Sequence, residues 1–522
     1  MLAAGALGIV VAVQPYKTFE LDRFFVPKEL VLHATALVVG LLSLRGVERL
    51  RLSGADDVLA AFFALSAISA LFATNWFLAF RSLAITGSSL VIFWSCRRLA
   101  REGLARPLLV VLAFGAVLGA VTALLQVYGV ETDSFSQNRA PGGTFGNRNF
   151  MAHLAAIGLP LVVALAVQAR NRLGPQLGGL GVMILAGALV LSRSRAAWLA
   201  ALASVLFLGA AGLWRGGLWQ DPVVRRRVIG LGAATVVGLA LALLIPNSLD
   251  WRSDSPYLET LQGVANFKEG SGHGRVLQYR NTLRMVTSHP ILGVGPGNWS
   301  VVYPSVSPKN DPSLNRDDGM TANPWPSSDW ITFLSERGPV ASLLLLLALL
   351  SLGVKGWRWW RESAQRAQNL EPLALPALLL AGMVCGSFDA VLVLPVPALY
   401  VWAAAGLLAA PEAGGRIIEL DDRRRRRLVI AFAVVAALFT TRSALQAGAM
   451  EVYDQAWKVS DAERAARLDP GSYRIRIFLA QRYFARGDCP HVLDHARAAN
   501  RLYPSAPRPQ RLIRACGGRV AG

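Results

Sequence analysis

Residues 107–128, PLLVVLAFGAVLGAVTALLQVY, contain no charged side chain. Wound as an α-helix at about 1.5 Å rise per residue, such a run crosses the ~30 Å hydrocarbon core of a bilayer. Arg97, Arg98, Arg101 and Arg106 precede it and a polar segment, 129–148, follows. The same alternation of apolar block and polar connector extends outward in both directions. Blocks fall at about 2–14, 29–44, 55–73, 76–96, 107–128, 149–168, 177–192, 196–213, 228–245, 338–354, 372–388, 391–409 and 428–444. With 53% hydrophobic residues, 16% charged and a mean hydropathy of +0.41, the chain is expected to be an all-α polytopic membrane protein of about 12–13 transmembrane helices. A transmembrane domain over 1–444 and a polar helical tail over 445–522 are the expected divisions.

Every second connector is basic: Arg45/Arg49/Arg51, then Arg97 to Arg106, Arg170/Arg172, Arg215 with Arg225 to Arg227, Lys355 to Arg366, and Arg416 with Arg423 to Arg427. Basic loops stay cytoplasmic, which puts the N-terminus inside and makes this a multi-pass protein of a bacterial inner membrane. The net charge of +20 then reflects orientation and contact with anionic membrane lipids rather than nucleic-acid binding. Leu2 to Val13 lacks a basic flank and a small-residue cleavage site, so it reads as a short first span. The other connectors lie outside, on the periplasmic face. One of them, about 246–337, exceeds ordinary connection length enough to suggest a role in function.

The tail repeats itself: Ala465-Ala466-Arg467-Leu468-Asp469-Pro470 recurs as Ala499-Asn500-Arg501-Leu502-Tyr503-Pro504. That thirty-four-residue period is the tetratricopeptide period, and it points to a small helical module able to recruit a protein partner. Cys489 and Cys516 lie in this tail, where an oxidising compartment would favour a disulfide; two free thiols are the alternative. Cys96 and Cys385 lie in or beside apolar blocks as packing residues. No Cys/His cluster has zinc spacing and no phosphate-binding loop or dinucleotide fingerprint follows a strand, so no cofactor and no metal is expected.

Among the arginines of the outside connectors, seven stand in motif-like polar segments: Arg139, Arg148, Arg193, Arg195, Arg275, Arg280 and Arg284. Arginine there needs an anionic partner, and guanidinium is the side chain suited to gripping phosphate. The stretch Gly142-Gly143-Thr144-Phe145-Gly146-Asn147-Arg148-Asn149 leads into a span, where free N–H groups and Arg148 can meet an anion; a capped, solvated turn is the plainer alternative. Ser192-Arg193-Ser194-Arg195 puts two guanidiniums at headgroup depth, which phospholipid phosphates would also explain. In Gly274 to Met285, positions 275, 279 and 282 share one helix face and 280 and 284 another, so Arg275 and Tyr279 can reach one ligand. His289 before Pro290 reads as a structural hydrogen bonder. Asp329 and Glu336, seven apart, share a face, each with a helix cap or salt bridge as the alternative to a catalytic or binding role.

In their order along the chain, Thr144 to Asn149, Ser192 to Arg195, Gly274-Arg275, His289 to Asn298 and Trp330 to Gly338 resemble the O-antigen ligase and polymerase superfamily, over roughly residues 75–410. The resemblance implies a metal-independent, inverting glycosyltransferase. Its donor would be an undecaprenyl-pyrophosphate-linked glycan and its acceptor a saccharide, a lipid-linked glycan or a protein. It implies Arg275 as the principal catalytic residue, stabilising the departing pyrophosphate. Arg148, Asn149, Arg193, Arg195, Tyr279, Arg280, Arg284 and Glu336 are the substrate-binding candidates. The sequence departs from the family at one place: ligases carry a histidine shortly before the tenth span, and here the matching residues are Ser327-Ser328-Asp329. Either Asp329 is the substitute base, or the lability of the pyrophosphate makes base assistance minor, or the acceptor differs from lipid A core. A transporter or flippase, or a non-catalytic scaffold in polysaccharide assembly, are the alternatives, although no internal two-fold repeat of the transporter kind is evident.

Overall fold

The computed structural model describes residues 1–215, 217–251, 253–263, 270–315, 318–362, 370–410 and 415–520. The chain begins with α1 (Leu2–Val11) and α2 (Asp22–Leu44). A short strand β1 (Arg49–Leu52) leads to α3 (Gly54–Leu71), α4 (Trp76–Arg101) and α5 (Ala105–Val127). Then come α6 (Arg148–Val167), α7 (Leu173–Ser192), α8 (Arg195–Arg215), α9 (Gly217–Gln220) and α10 (Pro222–Leu244). The long connector holds α11 (Pro256–Gln262), α12 (Gly270–Ser288) and α13 (Trp299–Val306) before α14 (Asp329–Glu362), α15 (Glu371–Phe388) and α16 (Pro395–Leu408). Strand β2 (Arg416–Glu419) precedes α17 (Asp422–Asp454), and α18 (Val459–Leu468), α19 (Tyr473–Phe484), α20 (Cys489–Leu502) and α21 (Pro507–Ala515) close the chain.

Each of the thirteen apolar blocks has become a helix. Eleven are long and apolar enough to cross a membrane, while α1 and α16, of 10 and 14 residues, are shorter. Helix α6 is buried on every face from Phe150 to Val162, as befits a helix that is apolar all round. Helices α10 and α17 instead turn Val236, Leu244, Val434 and Leu438 outward, apolar surface suited to lipid. The two strands were not expected from the sequence. They pair antiparallel, Arg49 opposite Glu419 and Leu52 opposite Arg416, and tie the α2–α3 connector to the start of α17.

Helix α14 is broken where the sequence placed the start of its span. Gly338 adopts φ 80°, ψ 169° and is followed by Pro339. Proline has no N–H, so a continuous helix would leave the Ser335 carbonyl without a partner. Val294 N–H donates to it instead at 2.9 Å, and Gly295 N–H donates to the Glu336 carbonyl at 2.9 Å. A Cβ at Gly338 would lie 2.0 Å from the Ile291 carbonyl oxygen. The glycine-rich 293–298 turn is therefore laced into the break, which fixes the long connector against the membrane helices.

The two tail repeats end α18 and α20 alike: Asp469 caps one at φ −125°, ψ 83° and Tyr503 the other at φ −139°, ψ 85°. Ala465 and Ala499 are both fully buried. Cys489 and Cys516 are disulfide-bonded. Helix α17 runs past residue 444 without interruption into this tail, where Ala449 and Met450 pack with Phe19, Ala466 and Leu479. Asn75 Nδ2 donates to the Leu502 carbonyl at 3.2 Å, so the tail rests on the α3–α4 turn.

Candidate functional site

A cavity of about 310 Å³ lies between the start of α6, one face of α12, the 312–327 segment and the turn after α15. Its walls include Arg139, Asn147, Asn149, Phe150, Arg275, Gln278, Trp325, Ser327 and Asp389. The 142–149 segment reaches it through local packing. Gln126 Oε1 accepts from Gly142 N at 3.0 Å and Gly143 N at 2.8 Å. These amides, expected to be free for an anion, are thus consumed within the protein, and the segment contributes side chains instead. Asn147 caps α6 through Asn149 N at 3.0 Å, while Asn149 Nδ2 donates to Asp389 Oδ2 at 3.2 Å. Asp389 Oδ1 also accepts from Ala390 N at 2.9 Å.

Helix α12 divides by face as its spacing predicts. Arg275 and Gln278 face the cavity, and Arg275 makes no hydrogen bond or ion pair with the described residues. Arg280 and Arg284 lie exposed on the other side; Arg284 reaches only the Val306 carbonyl, at 3.5 Å. The structure therefore sets both apart from the site, because a hundred degrees per residue turns them away from 275 and 278. Tyr279 lies between the faces and is used up within the protein: its hydroxyl donates to the Ser327 and Ser387 carbonyls. Burial pushes this phenol up to about 12, so it remains a donor at neutral pH. Gln278 Oε1 accepts from Ser327 N at 2.8 Å, and Ser327 is held on both sides of its backbone.

The remaining arginines form one band around this cavity. Arg148 and Arg193 lie over the same indole, that of Trp251, at 5.0 and 4.7 Å. Arg193, the only described non-glycine residue at positive φ (51°), also donates to Thr260 Oγ1 at 2.8 Å and has Glu259 3.9 Å away. Arg148 feels the charges of Arg193 and Arg139, and Arg195 feels that of Arg275 while bonding the Gly263 carbonyl. Among the described residues, Asp389 is the one carboxylate on the cavity wall, so guanidinium outnumbers carboxylate in and around it.

Two acidic expectations are corrected. Asp329 is completely buried, and its carboxylate accepts from Val391 N at 3.1 Å and Leu392 N at 2.8 Å. It is absent from the cavity wall and anchors the turn that carries Asp389. Glu336 is also buried, with Gly297 N at 2.7 Å and Trp299 N at 3.1 Å on its two oxygens. It caps α13 and holds the 293–298 turn. Neither cap nor anchor was assigned to these partners by the sequence, because both lie across long-range contacts. Arg337 pairs with neither, donating to Ser82 and Thr86 between the rings of Phe62 and Phe333.

Asp389, Gln278, Trp325 and Trp251 escaped the sequence reading. Only Asp389 carried a signal, as a lone acid in a short turn between two apolar blocks. A second cavity, about 380 Å³, opens at the α4–α5 connector and is lined mainly by aliphatic residues. Its Arg98 is already paired with Glu102 at 3.0 Å, so it has no free charge to offer a ligand.

No curated protein sequence matches the chain. Residues 180–346, from within α7 to the first turns of α14 beyond its break, match the O-antigen ligase family. That stretch carries Arg193, Arg195, Arg275, Tyr279 and Ser327; Asn149 and Asp389 enter the cavity from outside it. The chain is thus a multi-pass membrane protein whose residues 180–346 are similar to the O-antigen ligase family.

Proposed function

We propose that the protein transfers or polymerises glycans carried on undecaprenyl pyrophosphate, at the periplasmic face of the bacterial inner membrane. An acceptor hydroxyl on a saccharide, a lipid-linked glycan or a protein attacks the anomeric carbon from the side opposite the pyrophosphate. A single displacement of this kind inverts the anomeric centre. Negative charge grows on the departing pyrophosphate, and Arg275 with Arg139 neutralises it in the cavity, while Arg148, Arg193 and Arg195 hold the carrier's second phosphate. Preorganised charge aimed at a developing anion is the largest single contribution in many such reactions. The tail, as a tetratricopeptide-like unit, fits the recruitment of an assembly partner.

The observation that carries this reading is the Arg275 guanidinium, without a hydrogen bond or ion pair to the described residues, in a cavity with four further arginines in or near it. Purified protein is expected to release undecaprenyl pyrophosphate from a synthetic undecaprenyl-pyrophosphate oligosaccharide, with chain extension seen by mass spectrometry. Arg275→Ala is expected to lower turnover roughly 10²–10³-fold, the effect of losing one oxyanion donor. Full activity in that variant overturns the assignment.

A further inference from the structure

The place of the family histidine reads Ser327-Ser328-Asp329, and Asp329 is completely buried, bonded by the Val391 and Leu392 N–H groups and absent from the cavity wall. The group left to take a proton on the cavity wall is Asp389. Its Oδ2 accepts only the amide of Asn149 at 3.2 Å, and its Oδ1 the N–H of Ala390 at 2.9 Å. A carboxylate oxygen has room for further bonds beyond one such partner, and both of these donors favour its acceptor role. One helical turn beyond Asn149 on α6, His153 is completely buried and within the fields of Asp389 and Arg275. Its ring lies beside the backbone of Ala390, the residue after Asp389. An ionisable side chain at this depth marks function.

Resting on the glycan-transfer reading above, we infer that Asp389 is the general base, replacing the family histidine from the turn that adjoins Ser327 to Asp329. The acceptor O–H bond breaks as its oxygen bonds to the anomeric carbon, and the proton passes to the Asp389 carboxylate. The bond from anomeric carbon to phosphate oxygen breaks with its electron pair, which leaves on undecaprenyl pyrophosphate toward Arg275. The proton then returns from Asp389 to water. Asn149 is a positioning residue, since its amide aims Oδ2.

The test uses the full chain in lipid nanodiscs with the synthetic undecaprenyl-pyrophosphate oligosaccharide, whose terminal hydroxyl serves as acceptor. Binding of undecaprenyl pyrophosphate is measured in parallel. Asp389→Asn keeps the shape of the side chain and is expected to lower kcat about 10²–10⁴-fold, the range for a lost general base, with carrier affinity within a few-fold of the parent. Turnover within a few-fold of the parent overturns the inference and leaves glycan transfer standing. A parent protein that releases no carrier defeats the transfer reading itself. Should Asp389→Asn fail to fold, Asp389→Ala with added formate replaces it: recovery of at least tenfold supports the base, and no recovery with carrier binding intact overturns it.

Discussion

The backbone groups that Asp329 holds, Val391 and Leu392, follow Asp389 by two and three residues, yet the two carboxylates have different surroundings, and Asp329→Asn separates their roles. In the parent, the Asp329 carboxylate receives Val391 N–H on both oxygens at 3.1 Å and Leu392 N–H on one at 2.8 Å. An asparagine that keeps its carbonyl at Oδ2 retains the Leu392 bond and one Val391 bond, now without charge. Hydrogen bonds to charged groups contribute about 1.5–3 kcal/mol against about 1 for neutral ones, so Asp329→Asn is expected to cost about 1–3 kcal/mol. Asp329→Ala orphans two amides, at about 1–3 kcal/mol each, and opens a cavity beside Gly386, whose Cβ position is 2.7 Å from Oδ2. Its expected cost is about 3–6 kcal/mol. Thermal unfolding in nanodiscs, followed by tryptophan fluorescence, should rank parent, Asn and Ala in falling order, while the folded Asn variant keeps kcat within a few-fold. An Asp329→Asn protein with an unchanged melting curve and kcat reduced a hundredfold would refute the anchoring role and restore Asp329 as the reacting carboxylate.

Two further expectations follow from single contacts. Trp251→Leu removes the indole shared by Arg148 and Arg193; at about 0.5–2 kcal/mol per cation–π contact, carrier affinity should fall several-fold to tenfold with kcat little changed, and an unaltered Kd would show that the indole does not position them. Gly338→Ala forces φ 80° on a residue with a Cβ and drives that atom to 2.0 Å from the Ile291 carbonyl. Strain of about 1–3 kcal/mol plus displacement of the 293–298 turn should abolish folded expression or lower the melting temperature by several degrees, and a parent-like melt would mean the break in α14 can close.

The membrane architecture was legible because each span must satisfy its own backbone within lipid, so hydrophobicity and length nearly dictate the helix. The place of Arg275 on the cavity wall followed from helix periodicity, which separates it from Arg280 and Arg284. Tyr279 and Glu336 show where that logic stops. Both were assigned to substrate on the strength of sharing a helix face with a chosen partner, and both spend their polar atoms on backbone tens of residues away, at Ser327 and Ser387 and at Gly297 and Trp299. Helix periodicity says which side chains point together; it does not say what awaits them.

Local sequence thus determined the number and place of the apolar helices, since these depend on forces acting within a turn or two of the chain. The tertiary structure decided which charges meet. Asn149 finds Asp389 across 240 positions of sequence, and Val391 and Leu392 find Asp329 across more than sixty. Such pairings cost no local signature in the sequence: a carboxylate looks the same whether it will be walled in by amides or left facing a cavity, and only the packing of α6, α12, α14 and α15 settles its surroundings and therefore its chemistry.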